Sequence, residues 1–196
     1  MTRSVQGSGM VLRLHMPLIA KTFADAGQQK IAPGMLFQTG GNKVTDIYFL
    51  QKGVVRLNCS SGKKNIQLLY LGEYNLINDI SLFSGTGESA LDIWSVTPVE
   101  LKYLPYQQFF TRLQDMELFL EVIRCLGEKA CCLLQHLHAL RFFDAEKRVG
   151  SFLKDLNELS SFIPGKKTFS LSQAEIADAL ALHRVTVCRA MGKFAK

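Results

Sequence analysis

The residues with the clearest chemical potential lie near the C-terminus, where cationic and polar side chains recur at helical spacing. If residues 184–191 form a helix, one set of side chains faces inward and another faces outward. The inward set is Val187, Ala190 and Met191, and the outward set is Arg184, Val185, Thr186, Cys188 and Arg189. An arginine can bind a guanine through two parallel hydrogen bonds or clamp a phosphate. Together with Lys193, a candidate phosphate contact, this face is suited to a nucleic acid.

The segment before this helix predicts how it is positioned. Ser172 followed by Glu175 is a capping box, which predicts a helix that begins at Gln173. Ala181 is a small residue at a tight turn, and His183 can cap the next helix. The inner face of the first helix and the plug between the helices are Ile176, Ala177, Leu180 and Leu182. These features predict a helix-turn-helix, which places its second helix in the major groove of DNA, although the same pattern can serve only as a packing unit.

The charge distribution points to the same end of the chain. The net charge is +6 over 196 residues. From residue 141 onward, 10 Lys and Arg face 6 Asp and Glu, or +4, whereas the first 140 residues hold 13 against 11, or +2. A basic C-terminal third suits a polyanionic partner, although a solvated basic face would have the same composition.

The first half of the chain has the pattern of an all-β domain. Short apolar runs at residues 47–50, 54–59 and 66–71 alternate with Gly turns at Lys52-Gly53 and Ser61-Gly62, which predicts antiparallel strands joined by hairpins. Two further runs, at residues 91–96 and 99–104, are separated by Thr97-Pro98, because proline ends one strand before the next begins.

After Pro105 the period changes to that of a helix. Apolar residues recur at alternating steps of four and three, which gives an a/d seam of about three heptads. The seam is formed by Phe119, Ile123, Leu126, Ala130, Leu133, Leu137 and Leu140. A strict 3.5-residue period favours pairing with a second helix, and a homodimer supplies one. A helix packed on its own β-domain is the alternative. Cys125, Cys131 and Cys132 lie off the seam.

The remaining segments complete a three-part organisation. A second helical pattern begins near Asp144 and runs to about Leu159, and Pro164-Gly165-Lys166-Lys167 predicts a turn. We therefore expect an effector-sensing β-roll over residues 1–105, a dimerisation helix over 106–141 and a truncated DNA-binding domain over 142–196.

Several motifs, taken in this order, resemble one family. They are residues 47–57 with their Lys-Gly turn, Gly72-Glu73, Leu82-Phe83, the seam helix, Lys147-Arg148-Val149, and Ser172-Gln-x-Glu-Ile-Ala ending in Thr186-Val-x-Arg189. This order resembles the Crp/Fnr family of bacterial transcription regulators over roughly residues 28–196. The resemblance implies an α+β fold with a cyclic-nucleotide-binding-like β-roll, a long dimerisation helix and a C-terminal helix-turn-helix of the winged-helix type. It also implies an effector-responsive regulator that binds a palindromic promoter site as a homodimer, with RNA polymerase as a partner.

The resemblance assigns DNA contacts to Arg184, Val185 and Arg189. Many members have a glutamate where this chain has Val185. Glutamate accepts a hydrogen bond from cytosine, whereas valine offers only apolar contact, for example to a thymine methyl group. The run from His183 to Arg189 is most similar to the halorespiration regulators of the family, which sense chlorinated aromatic compounds.

The resemblance also predicts what the roll does not bind. The arginine and serine that hold a cyclic nucleotide phosphate fall on Ser89 and Ala90, although Asp79 can replace the acidic residue. Because a buried phosphate without a cation is costly, we expect the effector not to be cyclic AMP. The candidate effector-binding residues are Leu71, Tyr74, Leu76, Phe83, Ser89, Trp94 and Lys129. If Lys129 faces the pocket, it can pair with an aromatic acid or a phenol, and otherwise it is a solvated flank of the seam.

Other functional classes have little support in the sequence. No catalytic nucleophile–base pair, phosphate loop or metal motif is recognisable, so we expect no enzyme activity, metal or cofactor. The N-terminal cysteine cluster of iron–sulfur members is missing, since the first cysteine is Cys59. The five cysteines are expected to be reduced thiols, with Cys188 a filler or an oxidation site on the DNA face. Without a membrane span or a signal peptide, a cytoplasmic location is expected.

The sequence stops at Lys196, where family members continue into a β-hairpin wing. Two interpretations remain open, namely a truncated regulator with impaired DNA binding and a working regulator with a minimal DNA-binding unit. The competing functional class is a dimeric module that sequesters a small molecule or a partner protein.

Overall fold

A computed structural model describes residues 8–61, 64–160 and 171–194. These residues form an α+β protein with the expected β-roll, long helix and helix-turn-helix, in that order. The strands are β1 (Val11–Leu12), β2 (Gly27–Ile31), β3 (Leu36–Gln38), β4 (Asp46–Lys52), β5 (Val55–Ser61), β6 (Lys64–Leu71), β7 (Leu76–Ile77), β8 (Asp92–Ser95) and β9 (Val99–Pro105). The helices are α1 (Pro17–Thr22), α2 (Asp79–Ser84), α3 (Tyr106–Arg112), α4 (Met116–Phe142), α5 (Ala145–Ser160), α6 (Gln173–Ala179) and α7 (Arg184–Phe194).

The strands form two sheets that face each other. One sheet has the order β1-β6-β5-β8-β3, and the other has the order β2-β9-β4-β7. Alternate residues of both sheets point inward and form a shared core that includes Leu50, Val55, Leu71 and Leu101. The expected hairpin between β5 and β6 is confirmed by their antiparallel register.

The predicted hairpin at Lys52-Gly53 is wrong, because β4 and β5 belong to different sheets. Gly53 is instead a corner at which the chain crosses from one sheet to the other. Its φ is +95°, and a Cβ atom would lie 2.3 Å from the Pro98 carbonyl oxygen. The second crossing, at Thr97-Pro98, packs against it, and the Thr97 hydroxyl accepts a hydrogen bond from Val54 N at 2.9 Å. A Gly turn in the sequence predicts a change of direction but not the strand with which the next segment pairs.

The long helix α4 has a buried face and an exposed apolar face. One face is buried on the roll and consists of Leu118, Glu121, Val122, Cys125, Lys129, Cys132, His136 and Ala139. The opposite face is exposed and carries Met116, Leu120, Ile123, Leu134 and Leu137. The exposed stripe overlaps the predicted seam in part, since Ile123, Ala130, Leu137 and Leu140 are exposed, whereas Phe119, Leu126 and Leu133 are half-buried. The residues of both faces recur at steps of three and four, so the period of the sequence alone does not distinguish the two faces.

The helices α5, α6 and α7 pack into a small cluster that also contacts the roll. Their shared core includes Val149, Phe152, Ile176 and Val187, and it is continuous with Tyr70 of β6. The predicted start of α5 near Asp144 is confirmed, whereas the turn predicted at residues 164–167 lies outside the described residues. Within the described ranges, no helix has the length and apolarity needed to cross a membrane.

Candidate nucleic-acid interface and sensor cavity

The local geometry of the helix-turn-helix agrees with the sequence. The Ser172 side chain accepts a hydrogen bond from Glu175 N at 3.2 Å, and the Glu175 carboxylate accepts one from Ser172 N at 2.8 Å. These two bonds form the capping box, and α6 begins at Gln173. Ala181 has a φ of +49°, which fits a small residue at the turn. His183 caps α7, because its Nδ1 accepts a hydrogen bond from Val185 N at 3.3 Å.

The structure largely agrees with the predicted inward and outward faces of α7. Val187 and Ala190 are buried against α5 and α6, and Met191 packs beside them. The exposed residues are Arg184, Val185, Cys188 and Arg189, whereas Thr186 is half-buried. Val185 is 49% exposed, which is high for a branched apolar side chain at a helix start. The outer face therefore presents two arginines around an apolar contact point.

The candidate phosphate contact, Lys193, already has an anionic partner. Its Nζ lies 2.5 Å from Glu146 Oε2 at the start of α5, and this hydrogen bond raises the pKa of Lys193. Both side chains are solvent-exposed, so the pair contributes little to stability and can exchange with another anion. Phe194 packs over Gly150, where a Cβ atom would lie 2.8 Å from the ring. The end of α7 is thus held on α5 by one ion pair and one aromatic contact.

The sensor cavity lies between the roll and α4 and brings together four of the seven predicted effector residues. Leu71, Leu76, Ser89 and Lys129 line a cavity of about 20 Å³. Small-molecule pockets are typically about 300–1,000 Å³, so this cavity has room for little more than a water molecule. The Ser89 hydroxyl donates a hydrogen bond to the Leu91 carbonyl at 2.8 Å.

Lys129 is not a solvated flank residue, since it is only 3% exposed. Its ammonium group lies 2.6 and 2.7 Å from the two carboxylate oxygens of Asp79, and it donates a further hydrogen bond to the Leu76 carbonyl at 2.6 Å. Burial is the largest single influence and lowers the pKa of Lys129, but the charge of Asp79, the interaction with Cys125 and the hydrogen bonds to Asp79 together outweigh it, so the net shift is upward. Asp79 is 2% exposed, so both charges are satisfied inside the protein.

The other three predicted effector residues do not line this cavity. Tyr74 contacts Phe49, and Phe83 contacts Phe110. The Trp94 ring lies under the Arg56 guanidinium, at 5.7 Å from the ring centroid. Successive side chains of a strand point to opposite faces, and Ile93 points into the core. The neighbouring side chain of Trp94 therefore points away from the cavity.

The pairing of Lys129 with Asp79 was not predicted from the sequence. Asp79 was considered only as a ligand for an effector, whereas the structure pairs it with the helix α4. A signal was present, since Lys129 shares the spacing of the buried residues Cys125, Cys132 and His136. A larger cavity, of about 250 Å³, lies where Leu159 of α5 meets Gly53 and Gly72, and no predicted effector residue lines it.

In the part of the chain that the structure describes, no group of three or more His, Cys, Asp or Glu side chains is close enough to hold a metal ion. Cys59, Cys125, Cys131 and Cys188 are free thiols, and Cys188 is exposed on α7. Cys125 is buried, and burial raises the pKa of its thiol. A buried thiol with a raised pKa is a poor nucleophile.

Comparisons with known proteins give structural neighbours only. No protein-family profile matches the sequence, and no curated protein matches it. CLP, the c-di-GMP responsive global regulator of Xanthomonas campestris, superposes with a TM-score of 0.76 at 17% identity, over 92% of each chain.

Two further neighbours have the same overall structure. A CooA mutant from Carboxydothermus hydrogenoformans gives a TM-score of 0.73 at 17% identity, over 96% of this chain and 88% of that one. A CRP/FNR family transcriptional regulator from Thermus thermophilus gives 0.70 at 20% identity, over 86% of each chain. The chain therefore has the fold of these regulators along most of its length.

Proposed function

We propose that this protein is an effector-responsive transcription regulator of the Crp/Fnr family that binds a palindromic DNA site as a homodimer. The observation that carries the proposal is α7, a capped second helix of a helix-turn-helix with Arg184 and Arg189 exposed on one face. The division into a sensor (1–105), a dimerisation helix (106–141) and a DNA-binding domain (142–196) is part of the proposal, as are a cytoplasmic location and RNA polymerase as a partner.

In this proposal, α7 lies in the major groove. Arg184 and Arg189 bind base edges or phosphates, and Val185 contacts a thymine methyl group, so the site is rich in A·T pairs at that step. Thr186 and Cys188 flank these contacts, and Lys193 exchanges Glu146 for a phosphate. The proposed contact of Val185 with a thymine can be tested directly. Val185→Glu should shift the preference at the contacted base pair toward a G·C pair.

The homodimer is proposed to form through the exposed stripe of α4. Leu120 is 55% exposed and Leu137 is 60% exposed, and an apolar row of this length on a soluble protein marks a contact surface. Gly127 and Ala130 lie at the centre of the row, and a Cβ atom at Gly127 would meet nothing within 4 Å. Small residues flanked by Leu and Ile let two helices approach closely, so the second copy of α4 is the partner that fits best.

The effector is proposed to be an aromatic acid or a phenol, and not cyclic AMP. Lys129 is the cation of the cavity, and an acidic ligand would bind it in competition with Asp79. The cavity must widen for such a ligand, which would couple binding to a movement of α2 or α4. The similarity of residues 183–189 to halorespiration regulators supports the same class of ligand.

Calorimetry can test this ligand class with a matched pair of compounds. We expect a chlorinated aromatic carboxylic acid to bind and its neutral amide not to bind, because only the acid can replace Asp79 at Lys129. Cyclic AMP is expected to show no binding in the micromolar range. Micromolar binding of cyclic AMP, or equal binding of the acid and the amide, would contradict the proposal.

A binding-site selection tests the DNA-binding function. The 196-residue chain, with and without its acidic ligand, should enrich a palindrome whose half-sites lie about 34 Å apart, or one helical turn. The matched control is Arg184→Ala/Arg189→Ala, which changes only exposed side chains. Enrichment by the unmodified chain and not by the control is the expected result. No enrichment by either protein would instead favour a dimeric module that sequesters a ligand or a partner protein.

A further inference from the structure

The segment Ser8–Gly9–Met10 lies at the point where the roll, α4 and α5 meet. Ser8 is 2% exposed, and both its backbone N and its hydroxyl donate hydrogen bonds to Asp155 Oδ2, at 2.8 and 2.6 Å. Asp155 lies 147 positions after Ser8 in the sequence and belongs to α5. The N-terminal segment thus contacts the helix that supports the helix-turn-helix.

Gly9 brings the same segment directly onto α4. Its φ is +70°, and a Cβ atom would lie 2.4 Å from the Cys132 carbonyl oxygen and 2.5 Å from His136 N. Both neighbours are backbone atoms of a helix, so neither can move aside as a side chain can. Only glycine fits this position, and its backbone is held against the helix.

Met10 connects the segment to the roll. Its side chain is fully buried, and its carbonyl accepts a hydrogen bond from Tyr70 N of β6 at 2.7 Å. The Tyr70 ring in turn packs on Phe152 of α5, with ring centroids 6.1 Å apart. Three consecutive residues therefore contact three structural units, namely α5, α4 and the roll.

We propose that residues 8–10 form a latch that fixes the orientation of α5, and with it the helix-turn-helix, relative to α4 and the roll. The latch itself is a property of the free protein. Only its role in DNA binding rests on the proposed function. In a dimer built on α4, this orientation sets the separation and tilt of the two α7 helices.

The chemistry of Asp155 makes the contact specific. Burial raises the pKa of the Asp155 carboxyl, whereas the two hydrogen bonds from Ser8 lower it. Glu158 raises and Lys154 lowers the pKa of this carboxyl, and Asp155 lines a neighbouring cavity together with Arg13 and His15. If Ser8 is withdrawn, the carboxylate loses both of these donors, and the direct tie between the N-terminal segment and α5 is broken.

Hydrogen exchange of the DNA-free protein tests the latch, with Gly9→Ala and Gly34→Ala as a matched pair. Both glycines have a positive φ, but a Cβ atom at Gly34 would meet nothing within 4 Å. The pair therefore separates backbone strain from displacement of the latch. The informative amides are those of Tyr70 and Gly72, which donate to the Met10 and Leu12 carbonyls, together with α5. The paired strands β4 and β9 serve as the internal reference.

We expect Gly9→Ala to accelerate exchange in α5 and at Tyr70 about tenfold or more, since a charge-assisted hydrogen bond contributes at least that factor to an opening equilibrium. Gly34→Ala should leave these amides unchanged, and β4 and β9 should be unaffected in both variants. Unchanged exchange in Gly9→Ala would overturn the proposal. Equal acceleration in β4 and β9 would also overturn it, because it would indicate general destabilisation.

A second pair of variants examines the hydrogen bonds themselves. Ser8→Ala and Asp155→Ala should each accelerate exchange in α5, and the double variant should add little to the larger single effect, because both changes break the same contact. Asn157→Ala, at an exposed position of α5, is the control. Additive effects of Ser8→Ala and Asp155→Ala would contradict the latch. None of these readouts involves DNA, so a failed site selection would leave the latch intact.

Discussion

The sensor cavity and the outer face of α7 use their charged groups in opposite ways. In the cavity, Lys129 and Asp79 neutralise each other, and both side chains are buried. On α7, Arg184 and Arg189 are exposed to solvent. The charges of the first region are paired with each other inside the protein, whereas the arginines of the second region are accessible to a partner. Under the proposed function, DNA contacts need no rearrangement of α7 itself, whereas effector binding requires an internal ion pair to be exchanged.

The largest expected effect comes from breaking the ion pair inside the cavity. Lys129→Met leaves the Asp79 carboxylate buried without a partner, which should lower the free energy of unfolding by about 3–5 kcal/mol. Urea denaturation measures this loss, and Lys154→Met, at an exposed position of α5, is the control. Asp79→Asn/Lys129→Met should be more stable than Lys129→Met alone. A loss under about 1 kcal/mol for Lys129→Met would show that the pair is not as buried as the structure indicates.

The second prediction concerns α4, which connects the two regions. Leu137→Lys places a charge in the proposed dimer interface and should weaken the dimer by about 1.5–3 kcal/mol per subunit, the value of one buried leucine. Sedimentation velocity detects the monomer. Leu133→Lys, on the half-buried side of the predicted seam, should also destabilise the fold, so Leu137 gives the cleaner test. Asn157→Lys, at an exposed position of α5 and outside the stripe, should leave the dimer intact. An intact Leu137→Lys dimer would argue against this interface.

The third prediction separates base recognition from phosphate contact on α7. Arg189→Ala should cost about 1–3 kcal/mol on the selected site and little on random DNA. Lys193→Gln should weaken both kinds of DNA alike and reduce the salt slope of binding by about one unit. Titrations at several salt concentrations measure both effects, with Lys154→Gln as the control. An equal loss on all sequences for Arg189→Ala would assign that arginine to the phosphates.

The smallest expected effect is a pH dependence at the junction of α4 and the N-terminal segment. Burial lowers the pKa of His136 below its ordinary value of 6.5, although a hydrogen bond with the Ser8 backbone opposes this shift. The folded protein therefore binds fewer protons than the unfolded chain, so stability falls as the pH drops from about 6.5 toward the lowered pKa. Asp155, whose pKa is raised, acts in the opposite sense at lower pH.

Denaturation at pH 7.5 and at pH values near and below 6.5 measures this dependence. His136→Gln should reduce the loss of stability on acidification, whereas His138→Gln, at an exposed position, should not. An identical pH profile for His136→Gln and the unmodified protein would show that another group causes the loss.

The sequence by itself determined the elements whose signals are local. The capping box at Ser172 and Glu175, the turn at Ala181 and the outward face of α7 follow from hydrogen bonds and side-chain spacing within a few residues. The start of α5 and the long helix α4 are of the same kind. Such signals need no knowledge of the rest of the molecule, because each is satisfied within its own turn or helix.

The tertiary structure decided the features that join distant segments. Gly53 marks a corner and not a hairpin, because the partner of β5 is chosen by the packing of two sheets. Lys129 is buried because Asp79, 50 positions earlier, lies opposite it. The apolar period of α4 fits two faces equally well, and only the contact with the roll shows which one is covered. In each case the sequence supplies the side chain, but burial and pairing depend on residues that come together only in the folded chain.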